Sequence, residues 1–120
     1  MNSDKIQKSL LKEFRFKIGE QYELNEFNLK SLESTFIDGL EYENYEYIKN
    51  DFKTLFGVKF SKNIILQYNG DILSGVIYEF EVRHYKYLYS KCNSYSFKDI
   101  ILEVLKKDND YCQILMLKRK

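Results

Sequence analysis

Residues 64–82 have the sequence IILQYNGDILSGVIYEFEV, in which Asn69-Gly70-Asp71 separates two apolar segments. Asn and Gly tolerate the positive φ angles of a tight turn, so this tripeptide predicts a β-hairpin. Beyond the turn, apolar side chains alternate with a face that carries Glu79, Glu81 and Arg83. That alternation is typical of an antiparallel strand with one face towards solvent. The hairpin therefore predicts an antiparallel sheet in the second half of the chain.

Two further segments extend this sheet. Val58-Lys59-Phe60 precedes the hairpin and predicts a short strand. Residues 111–117, YCQILML, are apolar on both faces apart from Gln113, which is typical of a central strand that is covered on both sides. The polar tripeptide Asp108-Asn109-Asp110 predicts a turn before that strand.

The residues before the sheet have a different periodicity. Their apolar side chains recur every three or four residues, which predicts amphipathic helices that pack on the sheet. Residues 14–18 also alternate, so a short strand stays open at that point. The expected helices cover about residues 4–19, 28–40 and 44–56.

A fourth helix is predicted near the C-terminus, because Ser96 and Asp99 form a capping box. The resulting element order is ααα-βββ-α-β. We therefore expect an α+β fold, with N-terminal helices packed on an antiparallel or mixed β-sheet, in a single domain that covers residues 1–120.

Tyr85, Tyr87 and Tyr89 follow the long strand with the opposite parity to its apolar residues. A straight strand would leave these tyrosines on the outer face, whereas a bend at Arg83-His84 would return them to the core face. We expect the bend, because a strand of about fourteen residues is unusually long. The three tyrosines are a possible secondary binding surface.

Composition excludes several classes of protein. No apolar run approaches the roughly 18 residues that span a bilayer, and the N-terminus has no signal-peptide core, so we expect a cytoplasmic protein. Two cysteines and one histidine do not form a metal set, and Cys92 and Cys112 are expected to be reduced thiols. The enzymatic alternatives are a His84–Cys92 nucleophile and a pair of carboxylates, Glu79 and Glu81, on one strand face. We expect no enzyme, no catalytic residue, no metal and no cofactor.

Two segments resemble those that flank the central helix of acyl carrier proteins. They are Ser34–Leu40 and Leu55–Phe60. In that family an Asp-Ser-Leu opens the helix, and its serine bears phosphopantetheine. Glu41-Tyr42-Glu43 stands at the corresponding positions and contains no serine. Carrier activity is therefore not expected.

The charges are distributed unevenly, although the net charge is +1. Residues 20–51 carry nine acidic and two basic side chains, and the clustered tyrosines of this region alternate with glutamates. On the third predicted helix the acidic side chains would surround exposed tyrosines, which suits a basic protein partner. The predicted partner-binding residues are Tyr42, Glu43, Glu46, Tyr47 and Asp51.

Nuclease-inhibiting immunity proteins and phage inhibitors of nucleic-acid-binding enzymes present acidic surfaces of this type. We therefore expect a bacterial immunity or antitoxin-like protein that neutralises a basic nuclease toxin. A phage-encoded anti-defence inhibitor is an alternative, because the Lys-, Asn-, Ile- and Tyr-rich composition fits an AT-rich bacterial or phage gene. A small nucleic-acid-binding domain, with bases stacked on Tyr85 and Tyr87, is the other alternative.

Overall fold

The structure is a computed structural model that describes residues 10–92, 95–97 and 99–119. In these residues the fold is an antiparallel sheet of seven strands in one continuous order, with an additional strand at its edge and one short α-helix of eight residues. The strands are β1 (Leu29–Ser31), β2 (Thr35–Ile37), β3 (Leu40–Tyr47), β4 (Thr54–Leu55), β5 (Val58–Lys59), β6 (Ile65–Asn69), β7 (Ile72–Glu81), β8 (Tyr95–Phe97), β9 (Ile100–Lys106) and β10 (Tyr111–Lys118). The α-helix is α1 (Tyr85–Cys92), and 3-10 turns cover Tyr22–Leu24, Glu26–Asn28 and Val82–His84.

The order of the main sheet is β1-β3-β6-β7-β10-β9-β8, and β2 also pairs with β3. Every pairing is antiparallel. The predicted hairpin is confirmed, since β6 and β7 pair on either side of Gly70 and Asp71, which have φ angles of 57° and 65°. The predicted strand at residues 111–117 is confirmed as β10, which lies between β7 and β9, but only one of its faces is fully buried, so the predicted cover on both sides is wrong.

The predicted α+β fold, with N-terminal helices packed on the sheet, is wrong: the protein is mostly antiparallel sheet. The second and third predicted helices are strands β1 to β4, and the segments that resemble acyl carrier proteins are part of these strands and hairpins. The reason is the turn at Asp38 and Gly39, whose φ angles of 53° and 79° close the β2–β3 hairpin. Tyrosine also favours strands, and the apolar residues of such short segments can match either the helical or the strand period.

The two remaining helix predictions are also incorrect. The first predicted helix covers about residues 4–19, and its residues before Leu10 lie outside the described residues. Leu10 and Leu11 are helical, but residues 12–19 form turns and irregular structure, neither a helix nor a strand. The predicted fourth helix is replaced by β8 and β9, because residues 100–106 pair with the whole length of β10. Hydrogen bonding to an available neighbouring strand thus overrides the capping box.

One face of the sheet carries the core. Alternate side chains of the central strands are fully buried there, including Tyr78, Leu66 and Ile114. Phe14 and the β4–β5 hairpin cover this face, and Phe14 lies 5.6 Å from Tyr78 between ring centroids. The opposite face is only partly buried, and we call it the open face; its residues include Ile65, Ile77, Leu115 and Leu117.

Candidate functional site

The predicted partner-binding residues lie on a strand instead of a helix, and the strand separates them. Four of the five belong to β3, where successive side chains point to opposite faces of the sheet. Glu43 and Tyr47 lie on the core side, whereas Tyr42 and Glu46 lie on the open face. The single face predicted from helical spacing is therefore not formed.

Tyr47 is part of the core. Its side chain is 3% exposed, and its ring packs edge-on against Phe16 with 4.8 Å between centroids. Its hydroxyl donates a hydrogen bond to Asp51 over 2.7 Å, and the Asp51 carboxylate also pairs with Arg15 at 3.0 Å. Burial raises the pKa of Tyr47, and the hydrogen bond from Tyr47 lowers the pKa of Asp51. The prediction that Tyr47 is an exposed anchor is wrong, because Tyr47 is buried. Its contact with Asp51, which also pairs with Arg15, links β3 to the N-terminal segment.

The other two glutamates also have internal partners. Glu43 accepts a hydrogen bond from the Tyr45 hydroxyl at 3.0 Å, and Glu46 accepts one from the Asn63 amide at 2.8 Å. Burial and the Glu43 contact both raise the pKa of Tyr45. Tyr42 is partly buried. Changing Glu43, Glu46 or Asp51 would thus disturb the packing of β3 as well as its charge.

The secondary surface lies on α1, which begins after the 3-10 turn Val82–His84. The expected bend at Arg83-His84 is confirmed, but the chain continues after it as a helix. Leu88 of this helix is buried in the core, and the predicted return of all three tyrosines to the core does not occur. Tyr87 and Tyr89 are 45% and 47% exposed, and Tyr85 is partly buried. Contacts within the chain hold this set: Tyr85 packs on Tyr89 at 5.6 Å, and the Tyr87 hydroxyl donates to the Phe56 carbonyl at 3.0 Å.

The enzymatic alternative loses its nucleophile. Cys92 is 3% exposed, and burial raises the pKa of its thiol to about 12. A thiol needs a lowered pKa to react as a thiolate near neutral pH. Cys112 is also a free, buried thiol whose pKa is raised by burial.

Glu79 is a buried carboxylate on the open face, and its two lysine partners account for it. Lys107 donates to its Oε2 at 3.0 Å, and the Lys62 ammonium lies 3.6 Å from the same atom. Burial alone would raise the pKa of Glu79, but the Lys107 hydrogen bond and both positive charges outweigh it and lower the pKa. Glu81 pairs with Arg83 instead, so Glu79 and Glu81 do not form a carboxylate pair.

Exposed apolar side chains gather along one edge of the sheet. Seven of the eleven large apolar residues that are exposed in the described part of the chain lie between residues 24 and 48, on β1, β2, β3 and their flanking turns. Exposed carboxylates stand among them. We call this surface the acidic edge; it consists of Leu24, Phe27, Leu32, Phe36, Ile37, Leu40 and Ile48, with Glu23, Glu33, Asp38 and Glu41.

Local structure explains why these side chains are not buried. β1 and β2 both pair with the outer edge of β3, and no described strand pairs with the other edge of β1 or β2. Phe36 is opposite Glu41 in the β2–β3 hairpin and is 72% exposed, whereas Phe27 is 90% exposed on a 3-10 turn. Large apolar groups that remain in water and are accompanied by charge are typical of interaction surfaces.

The inner side of the hairpin forms one wall of a groove on the open face. Its volume is about 540 Å³, and Ile37, Leu40 and Tyr42 face Ile72 and Leu117 across it. The acidic edge thus continues into a partly apolar concavity at the hairpin end. A partner side chain that inserts there would be removed from water on several sides.

The sequence indicates that residues 20–51 are acidic, but it does not show which apolar side chains of this segment are exposed. The predicted helix at residues 28–40 places Phe36 on its apolar stripe, and no role is predicted for Phe27. The signal that was available is Asp38-Gly39, a hairpin dipeptide flanked by apolar residues. With that turn, Phe36 and Ile37 fall on opposite faces of a short strand.

Comparisons with known proteins give no family: no family model matches the chain, and no curated protein or solved structure matches it. Among the described residues, no group of three or more histidine, cysteine or acidic side chains could hold a metal ion. Those residues also contain no helix that is long and apolar enough to cross a membrane.

Proposed function

We propose that this protein is a protein-binding inhibitor that receives a basic partner on its acidic edge. The observation that carries the proposal is the concentration of seven of eleven exposed large apolar side chains between residues 24 and 48. The same region carries nine acidic and two basic residues over positions 20–51. Apolar anchors combined with an excess of negative charge favour a basic partner.

The two components of the edge have different roles in this binding. The carboxylates accelerate encounter with a cationic surface, and this effect weakens as salt increases. Phe27 and Phe36 supply apolar area at the contact, with exposures of 90% and 72% in the free protein. Burying each ring would contribute most of the affinity and slow dissociation.

The partner that best fits is a nuclease toxin, so the protein acts as an immunity or antitoxin-like protein. Nucleases bind phosphates with clusters of cations, and a row of carboxylates can occupy the same cations. The two free buried thiols fit action in a reducing compartment such as the cytoplasm. The alternative inhibitor, a phage anti-defence protein, would use the same edge against a host enzyme, and the neighbouring genes distinguish the two.

Charge reversal tests the proposal. Glu33→Lys/Glu41→Lys changes two exposed acidic residues of the edge, and Glu13→Lys/Asp110→Lys makes the same net change at exposed acidic residues elsewhere. The assay is inhibition of purified basic nucleases, beginning with any encoded beside this protein's gene. We expect the edge variant to weaken inhibition about tenfold or more and the control to change it less than about twofold.

Two outcomes would reject the proposal. Equal loss of inhibition in both variants would show that only the net charge matters. Full inhibition by the edge variant would show that the partner binds another surface. Circular dichroism of both variants checks that the sheet is retained.

A further inference from the structure

A second surface has the opposite charge. A cavity of about 380 Å³ opens between the end of β3, the β4–β5 hairpin and the segment that precedes β6. Four lysines line it, Lys49, Lys53, Lys59 and Lys62, and no carboxylate of the described residues does. We call it the lysine cavity.

Backbone pairing brings these lysines together from distant parts of the sequence. Lys59 pairs with Thr54 in the β4–β5 hairpin, and the Phe60 amide donates to the Lys53 carbonyl at 3.2 Å, so Lys53 and Lys59 lie at the base of the hairpin. The Tyr47 amide donates to the Ile64 carbonyl at 2.9 Å. That bond places the residues just after β3 beside those just before β6.

The positive charge of the cavity is not balanced. Lys49 and Lys62 lie 3.6 Å from Asp51 and Glu79, but each carboxylate has a closer cation at 3.0 Å, Arg15 and Lys107 respectively. Lys53 and Lys59 form no ion pair with any residue of the described chain. Two of the four lysines that line the concavity, Lys53 and Lys59, thus lack a carboxylate partner among the described residues, and a bound anion would supply the missing negative charge.

Two phenylalanines also line the cavity. Phe52 and Phe60 are partly buried and lie 5.5 Å apart between ring centroids. Asn50 and Ser61 add hydrogen-bonding groups to the lining. The volume lies near the lower end of the roughly 300–1,000 Å³ that is usual for small-molecule sites.

We propose that the lysine cavity binds a nucleotide, with the phosphate among the lysines and the base against Phe52 and Phe60. Ammonium groups bind phosphate through charge-assisted hydrogen bonds, and bases stack on aromatic side chains without strict sequence preference. This site is separate from the acidic edge and does not depend on the inhibitor function. The phosphate belongs to a free nucleotide in this proposal, not to a nucleic-acid strand.

Titration of the isotope-labelled protein with adenosine monophosphate, followed by NMR, tests the proposal. We expect saturable shifts confined to residues 47–64, weaker binding of inorganic phosphate, and no binding of adenosine at the same concentrations. Lys53→Gln/Lys59→Gln removes two exposed lysines that have no ion pair and should weaken binding about tenfold or more. Lys12→Gln/Lys86→Gln, a matched control at exposed lysines outside the cavity, should change it less than about twofold.

Each contrary result overturns a part of the assignment. Equal binding of adenosine and its monophosphate removes the role of the lysines, and equal binding of phosphate and the nucleotide removes the role of the aromatic walls. Equal weakening by the control pair shows non-specific attraction. A single-stranded oligonucleotide that binds far more tightly, with an affinity that increases with length, assigns the cavity to a strand instead of a nucleotide.

Discussion

The acidic edge and the lysine cavity adjoin the same strand, β3, but they differ in both shape and charge. The edge lies on β1, β2, β3 and their flanking turns and has exposed apolar side chains and carboxylates. The cavity is a concave site that four lysines line, with no carboxylate from the described residues. A net charge of +1 conceals both. A near-neutral chain can therefore offer two sites of opposite charge, an extended one that suits a protein and a concave one that suits a small anion.

The largest expected effect concerns the residue that lies beneath both surfaces. Tyr47 belongs to β3, lines the cavity and is 3% exposed. Tyr47→Ala should lower the free energy of unfolding by about 3–5 kcal/mol, because it leaves a cavity beside Phe16 and removes the partner of Asp51. Chemical denaturation measures this value. A loss below about 1 kcal/mol would mean that Tyr47 is a surface residue, as its sequence pattern had suggested.

The next effect separates the two surfaces functionally. Lys53→Gln/Lys59→Gln should weaken nucleotide binding about tenfold and leave nuclease inhibition within about twofold, because the edge contains neither lysine. Glu33→Lys/Glu41→Lys should show the converse pattern. The two titrations on the same protein preparations check this. If either variant weakened both activities equally, the two surfaces would be one site.

Acid should weaken the network that joins the cavity to the open face. The pKa of Glu79 is lowered in the folded protein, so its stabilisation is complete above the ordinary glutamate pKa of about 4.3 and is lost as the pH falls through the lower folded value. Glu79→Gln should therefore lower the melting temperature at pH 7 and make a smaller difference at lower pH. Thermal denaturation from pH 7 to pH 2 measures this; a difference that grew as the pH fell would contradict the assignment.

The smallest effect is expected at the outermost residue of the edge. Phe27 is 90% exposed, so Phe27→Ala should change the free energy of unfolding by less than about 0.5 kcal/mol. The same substitution should weaken inhibition of the partner measurably. Denaturation and inhibition on one preparation give both numbers. A loss of stability similar to that of Tyr47→Ala would mean that Phe27 supports the fold and is not reserved for binding.

The second half of the fold was predictable because its signals are local and consistent. Asn69-Gly70-Asp71 forms a tight turn, and beyond Gly75 the residues of β7 continue with Glu79 and Glu81 on one face and Tyr78 and Phe80 on the other, as a strand period requires. Residues 28–56 were not predictable in this way. There strands of two to eight residues are shorter than the windows that distinguish the two periods, and pairing between strands, such as that of β3 with β6, decides the outcome.

The candidate site was predictable in position along the chain but not in detail. The excess of acidic residues at 20–51 is a property of sequence alone, and it does mark the edge. Which side chains are exposed depends on the parity of β3, and one change of secondary structure moved Tyr47 to the core and Phe36 to the surface. The lysine cavity gave no signal, because it joins residues 49, 53, 59 and 62 through a hairpin that was not foreseen.

The acidic edge is tested most directly by cross-linking in the complex with an inhibited nuclease. A photoreactive phenylalanine analogue replaces Phe36 in one variant, Phe27 in a second, and Tyr89 of α1, an exposed aromatic residue outside the acidic edge, in a control. We predict covalent cross-links to the nuclease from positions 36 and 27 and none from position 89. Cross-links from position 89 alone would contradict the assignment and place the partner on α1.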